Sequence, residues 1–278
     1  MRIIRTPSLA ARVCGAGSRP VILVPTMGAL HAGHASLLRK ARRLAGAKGR
    51  VVASIFINPT QFGPKEDFSR YPRTFGADCR LCREEGVDIV FHPTVEGMYP
   101  EGYSTYVDET RISLSLCGKS RPGHFRGVCT VVLKLFNIIQ PEVAVFGAKD
   151  YQQAAIIQKM TRDLNLGTRI VVVPTVREED GLALSSRNRY LTPEERAQAP
   201  VIRRALLLAA GAKDRAPGDL ARLVRREIAK ARLGKIDYVE VLDAATLEAP
   251  GSATRKLVIA CAVYFERTRL IDNVVRKG

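Results

Sequence analysis

The sequence predicts an α/β protein, a doubly wound parallel sheet over residues 1–173 followed by a smaller α+β domain over residues 174–278. Three observations predict it. Short β-branched apolar runs recur through the first part, nearly continuous as in strands buried on both faces. Segments with apolar residues at three-four spacing separate them, as in amphipathic helices. After residue 173 this alternation stops, and two helical segments are followed by two strands of alternating pattern.

The strand signals in order are "VILVP" at 21–25, "VVASIFI" at 51–57, "VDIVF" at 87–91, "VAVFG" at 143–147 and "RIVVV" at 169–173. Between them lie the helical segments "HASLLRKARRLA" (34–45), "FGADCRLCREEG" (75–86), "GVCTVVLKLFNII" (127–139) and "YQQAAIIQKMTRDL" (151–164). In the second part Thr192 opens "TPEERAQAPVIRRALLLAAG" as an N-cap, with Pro193 at the first helical position and Glu195 completing a capping box. "GDLARLVRREIAKARL" (218–233) reads as the next helix, and "IDYVEVLD" and "KLVIACAVYF" as an antiparallel pair. A wound sheet binds its ligands beyond the carboxyl ends of the strands, so the strand-to-helix turns are where chemistry is sought.

Composition narrows the class. With 278 residues, 46% of them apolar, the chain can bury an enzyme-sized core. No run of about eighteen apolar residues occurs, and the first twenty residues lack the continuous apolar stretch of a secretory leader, so a cytoplasmic protein without a membrane partner is expected. The six cysteines are scattered, and the CxxC of "DCRLC" has no second pair to complete a tetrahedral metal site. The net charge of +17 raises the question of a polyanionic partner. Yet Arg and Lys fill the polar positions of helical segments, with no basic stripe interleaved with aromatics, and no nucleic-acid partner is expected.

The stretch that carries most chemistry is "VPTMGALHAGH" at 24–34, where two of only four histidines follow an apolar strand. It is the first strand-to-helix turn of the wound sheet, where free N–H groups and the helix dipole favour an anion and Gly28 and Gly33 allow close approach. No GxxxxGK[ST] string is present, and "GAGSRP" at 15–20 fails the GxGxxG pattern. His31 and His34, three residues apart, fall on one side of a first helical turn, where each imidazole can donate to a phosphate oxygen. Spacing alone leaves a His-x-x-His metal pair and purely structural histidines open as well. "GAKD" at 147–150 stands at a second such turn; Asp150 reads as a ligand or a helix N-cap, whereas a lysine there works against the helix dipole.

"HAGH" after a strand resembles the HxGH signature of the nucleotidyltransferase superfamily. The blocks "VPTMGALHAGH", "SIFINPTQFGPKEDFSRYPRT", "GHFRGVCTVVLKLFNIIQPEVAVFGAKDYQQ" and "PTVREEDGLALSSRNRYLTPEER" together resemble the pantothenate synthetase (pantoate-beta-alanine ligase) family over essentially the whole chain. The resemblance implies a Rossmann-like ATP- and pantoate-binding domain and a smaller domain carrying a loop equivalent to the synthetase KMSKS loop. It implies ATP-dependent condensation of pantoate with beta-alanine through pantoyl adenylate, with release of AMP and pyrophosphate, and typically a homodimer. The two other classes weighed are a different nucleotidyltransferase of this fold and an RNA-binding relative without catalysis.

Residue roles are carried over from the same resemblance. His31, His34, Lys149 and Arg187 are the implied catalytic residues, His34 as proton donor. Met27, Gly28, Ala29, Leu30, Ala32 and Gly33 join the two histidines around ATP, as do Gly147, Ala148 and Asp150, the last near the ribose. Val176 offers its backbone to adenine, and Leu184, Ser185, Ser186 and Arg187 face the phosphates. Gln61 and Gln153 match the pantoate-binding pair, Gln61 also meeting beta-alanine. Magnesium is expected with ATP, and Asp78 aligns with the acidic segment the family associates with the metal, beside Ala77 in this chain. Two further departures are Leu184 where the family usually has Met and Ala148 where it commonly has Glu. Arg121 and His124 read equally as active-site neighbours and as a solvated loop.

Overall fold

The computed structural model describes residues 1–15, 20–64, 66–213 and 215–277, so most of the "GAGSRP" stretch lies outside the described residues. In chain order the elements are β1 (Arg2–Ile4), α1 (Pro7–Gly15), β2 (Val21–Thr26), α2 (Ala32–Ala45), β3 (Arg50–Ile55), α3 (Phe75–Glu84), β4 (Ile89–Phe91), α4 (Val95–Met98), α5 (Leu116–Ser120), α6 (His124–Ile139) and β5 (Val143–Gly147). They continue with α7 (Tyr151–Asp163), β6 (Arg169–Val173), α8 (Pro193–Gln198), α9 (Val201–Gly211), α10 (Pro217–Ile228), β7 (Gly234–Asp243), β8 (Lys256–Phe265) and β9 (Thr268–Lys277).

The chain divides into two compact units, and the division is not one cut. The first unit holds residues 1–109, 121–148 and 156–174; the second holds 110–120, 149–155 and 175–278. A single boundary after residue 173 misses the two inserted segments, whose polar groups bond within the second unit. The Gln152 amide accepts from Cys117 N–H at 2.9 Å and donates to Ile112 O and Ser115 O at 2.8 and 2.7 Å, while the Tyr151 hydroxyl donates to Ala244 O at 2.6 Å.

The first unit is a parallel sheet of order β1-β4-β3-β2-β5-β6. Apolar residues, most of them β-branched, fill both faces: Ile22, Val51, Ala53 and Val145 pack with Leu38 and Ala41 of α2, while Leu23, Val52 and Ala144 on the opposite face are also fully covered. Each buried Val, Leu or Ile side chain among them contributes about 1.5–3 kcal/mol by leaving water. Strand order reverses between β2 and β5, which places the ligand crevice of this sheet beyond the carboxyl ends of those two strands.

The second unit is an antiparallel sheet β7-β8-β9 with α9 and α10 packed on it through Ile202, Leu206, Leu220, Val224, Ile259 and Val263. The capping box at Thr192, Pro193 and Glu195 forms as predicted. The single helix expected over 192–211 is instead two, because Pro200 has no N–H to continue the ladder and becomes the N-cap of α9.

Candidate active site

The turn after β2 is built from its own polar groups. Thr26 Oγ1 donates to Ser54 O at 2.7 Å and accepts from Gly28 N–H at 3.2 Å. Gly28 adopts φ +82° and Ala29 φ +51°, and a Cβ on Gly28 would stand 3.0 Å from Asp78 Oδ2 and 3.1 Å from Ile55 Cγ2, so glycine is required there. The N–H groups of Ala29 and Leu30 donate to Asp78 Oδ2 and Oδ1 at 3.1 and 2.9 Å. The anion site expected from free backbone N–H groups is therefore largely consumed inside the protein.

What the turn presents is imidazole. His31 is the N-cap of α2: its Nδ1 accepts from Gly33 N–H at 3.1 Å, and His34 Nδ1 accepts from His31 N–H at 3.3 Å, a capping box made of two histidines. The helix thus starts at Ala32, earlier than the expected start near His34. A neutral ring whose Nδ1 accepts carries its proton on Nε2, so both rings are held as Nε2–H donors, 4.2 Å apart between centroids.

Gln61 closes a 3₁₀ turn at Pro59–Gln61 and is 9% exposed. Its Oε1 accepts from Asn58 Nδ2 at 3.1 Å, and its Nε2 points to Met27 Sδ at 3.0 Å. Asn58 is itself fixed by donation to Gly127 O at 3.1 Å and by acceptance from the Tyr99 hydroxyl at 2.8 Å. Burial pushes the Tyr99 phenol up to about 12, which keeps it a neutral donor. His124 is buried, so the solvated-loop reading of Arg121 and His124 does not hold for it. It holds the backbone of Gln61, with Nδ1–H donating to Gln61 O at 2.8 Å while Arg121 donates to its Nε2 at 3.0 Å and pairs with Glu66.

In the second unit, Lys149 and Asp150 lie in a 3₁₀ turn over Ala148–Asp150 that runs straight into α7, with Lys149 Nζ 3.7 Å from Asp150 Oδ1. Gln153, on the first turn of α7, makes no side-chain hydrogen bond among the described residues. Residues 176–184 fold into a hairpin: Leu184 N–H donates to Val176 O at 3.0 Å and Glu178 N–H to Leu182 O at 2.9 Å. Arg177 anchors it to β9 by two bonds to the Asp272 carboxylate, at 2.7 and 2.9 Å. Ser185 then caps a 3₁₀ turn containing Ser186 and Arg187. Lys149, Ser185, Asn188 and Asp272 line one cleft with Leu182 and Ile202.

The expected metal role of Asp78 does not fit this geometry. The residue is 2% exposed, and its two oxygens accept from Ala29 N–H, Leu30 N–H and the Thr74 hydroxyl. Among the described residues no three His, Cys, Asp or Glu side chains cluster to hold a metal ion. The CxxC thiols are likewise buried, Cys82 pushed up to about 12 by burial, which keeps it protonated. Sequence reasoning missed Asn58, Tyr99, Gly127 and the Arg177–Asp272 pair; the one signal that could have led to any of them is Gly127 itself, read as the start of a helical segment and found inside α6.

The family profile described as Pantoate-beta-alanine ligase matches residues 2–275. A pantothenate synthetase of Moorella thermoacetica is 54% identical over 256 residues, covering 91% of this chain and 89% of that protein. One from Acetivibrio thermocellus is 50% identical over 276 residues, covering 98% and 95%. Among solved structures, pantothenate synthetase from Thermus thermophilus superposes with a TM-score of 0.91 at 43% identity, covering 99% of both chains. The pantoate-beta-alanine ligase of Francisella tularensis, solved in complex with beta-gamma ATP and beta-alanine, superposes with a TM-score of 0.81 at 33% identity, covering 99% and 97%. On a profile match across nearly its whole length and relatives at half identity, this chain belongs to the pantoate-beta-alanine ligase family.

Proposed function

We propose that His31, His34, Lys149, Ser185, Ser186 and Arg187 serve the phosphates of ATP in the two-step reaction of this family. First, a pantoate carboxylate oxygen bonds to the α-phosphorus while the bond to pyrophosphate breaks, giving pantoyl adenylate. The amine of beta-alanine then attacks the acyl carbon, AMP leaves with the bonding electrons, and the nitrogen gives up a proton to yield pantothenate. Both steps bring an anion or a developing anion against phosphate, so donors converging on the phosphates lower the barrier.

The observation that carries this reading is the paired use of Nδ1 as acceptor, which leaves each ring of the HAGH turn an Nε2–H donor. His34, the implied proton donor, directs its Nε2–H as a hydrogen-bond donor to the oxygens that gain charge, with His31 as its partner on the phosphates. Arg187 supplies a planar multi-donor group, and Lys149 a point charge. The remaining ATP contacts are Met27, Gly28, Ala29, Leu30, Ala32, Gly33, Gly147, Ala148, Asp150, Val176 and Leu184. Gln61 and Gln153 bind pantoate, each amide donating and accepting, and Gln61 extends to beta-alanine. The amide of Gln61 is supported in one orientation by Asn58.

A divalent ion is expected to enter on the nucleotide, held by phosphate oxygens and water. We further infer a cytoplasmic homodimer, which sedimentation equilibrium tests; no helix among the described residues is long and apolar enough to cross a membrane. The direct experiment incubates purified protein with ATP, pantoate and beta-alanine, omitting each in turn. Pantothenate and AMP should appear only with all three, and pyrophosphate in about one equivalent per site with ATP and pantoate alone. AMP release indifferent to pantoate would overturn the reading.

A further inference from the structure

We propose that Asp78 is a positioning residue for adenylate formation: its buried carboxylate sets the conformation of the turn that aims His31 and His34. The inference rests on the proposed role of those histidines, and it replaces the metal role expected from the alignment of this position.

Asp78 sits in the first turn of α3, anchored from its own helix by the Thr74 hydroxyl at 3.0 Å. Its other bonds cross to the loop after β2. Oδ2 takes Ala29 N–H and Oδ1 takes Leu30 N–H, the two residues immediately before His31. Ala29 holds φ +51°, a conformation an L-residue with a Cβ adopts only when its surroundings impose it. Two charge-assisted bonds to consecutive N–H groups impose it here. They also turn the Leu30–His31 peptide so that His31 N–H meets His34 Nδ1, the contact that fixes the His34 tautomer. Three donors occupy three of the roughly four acceptor positions of the carboxylate, and the residue is 2% exposed, so Asp78 is not presented to an ion arriving from solvent.

The test is Asp78→Asn, which keeps size but turns an NH₂ group against a backbone N–H. Single-turnover pantoyl adenylate formation is expected to fall ten- to a hundredfold while the pantoate KM changes less than threefold. The magnesium concentration giving half-maximal rate is expected to stay within twofold of wild type. A loss restored by raising magnesium would establish a metal ligand instead and overturn the proposal, as would a rate within threefold of wild type. If the variant does not fold, backbone amide hydrogen exchange in the unmodified protein decides. Ala29 and Leu30 should be protected like the β2 strand, and exchange at open-loop rates would overturn the proposal. The exchange measurement also separates the two failures: protected amides in a protein that makes no adenylate would fault the functional reading and leave standing only that Asp78 holds the turn, whereas unprotected amides in an active enzyme would fault this inference alone.

Discussion

Gly127→Ala is the perturbation whose size follows most directly from the structure. Gly127 lies in the first turns of α6, against the 3₁₀ turn that carries Gln61. A methyl group there would sit 2.4 Å from Thr60 O, 2.5 Å from Thr60 C and 2.6 Å from Gln61 N, all backbone atoms. Such contacts essentially never fall below 3.0 Å and are ordinary from 3.4 Å, so the turn or the helix must move by about 0.6 to 1.0 Å. The same movement strains the Asn58 bonds to Gly127 O and Gln61 Oε1. Stability changes little by comparison: alanine is about 1 kcal/mol better than glycine in a helix, and overpacking costs about 1–3 kcal/mol. A misplacement of about 1 Å in a substrate-positioning group costs on the order of a hundredfold in rate. The variant is therefore expected to fold, bind ATP normally and lose about two orders of magnitude in kcat/KM for pantoate. Steady-state kinetics at saturating ATP and beta-alanine, beside a thermal melt, measures both. A kcat/KM for pantoate within threefold of wild type would show that Gln61 is not positioned by this contact or does not bind pantoate.

Gln153→Ala should weaken pantoate at least tenfold in KM with ATP binding unchanged by calorimetry, and a loss confined to ATP would reassign the residue. All six cysteines are buried, with Cys82 and Cys129 pushed up to about 12 and Cys14, Cys79 and Cys261 raised, in each case chiefly by burial. A thiol reagent at pH 8 should label the native protein slowly and all six groups after denaturation; rapid native labelling of Cys82 or Cys129 would contradict the packing. Glu227 is held below the usual carboxylate range by Lys230 and then Arg204, Asp180 by Arg196, and Asp243 by Thr254 and backbone N–H groups. Because these folded-state values lie below the unfolded ones, the stabilisation is complete above about pH 5 and is lost as pH falls through the folded values. The melting temperature should drop between pH 5 and pH 3, and Glu227→Gln should flatten that limb; an unchanged slope would refute the assignment.

Much of the fold was legible because apolar periodicity reports burial directly: the five sheet strands from 21 to 173 fall where β-branched runs predicted them. β9 escaped because one of its inward positions is Asp272, buried against Arg177, which breaks the alternation a strand normally shows. β1 is three residues long and carries no pattern. At the site, the histidine pair was visible from spacing, whereas the capping geometry that fixes both tautomers was not. Asp78 shows the limit most clearly. Alignment with an acidic segment pointed to a metal, and only the packing of α3 against the β2 turn reveals that its oxygens are spoken for. Long-range contacts such as Gly127 with Thr60 span 67 positions and leave no local signature beyond an unexplained glycine.

The account stands on two imidazoles locked as Nε2–H donors at a strand-to-helix turn, and rapid-quench measurement of pantoyl adenylate formation in His34→Ala tests it most directly. Loss of one transition-state donor predicts a fall of about a hundredfold or more, roughly 2.7 kcal/mol, with ATP still bound. Adenylate forming at a near-normal single-turnover rate in that variant would contradict it.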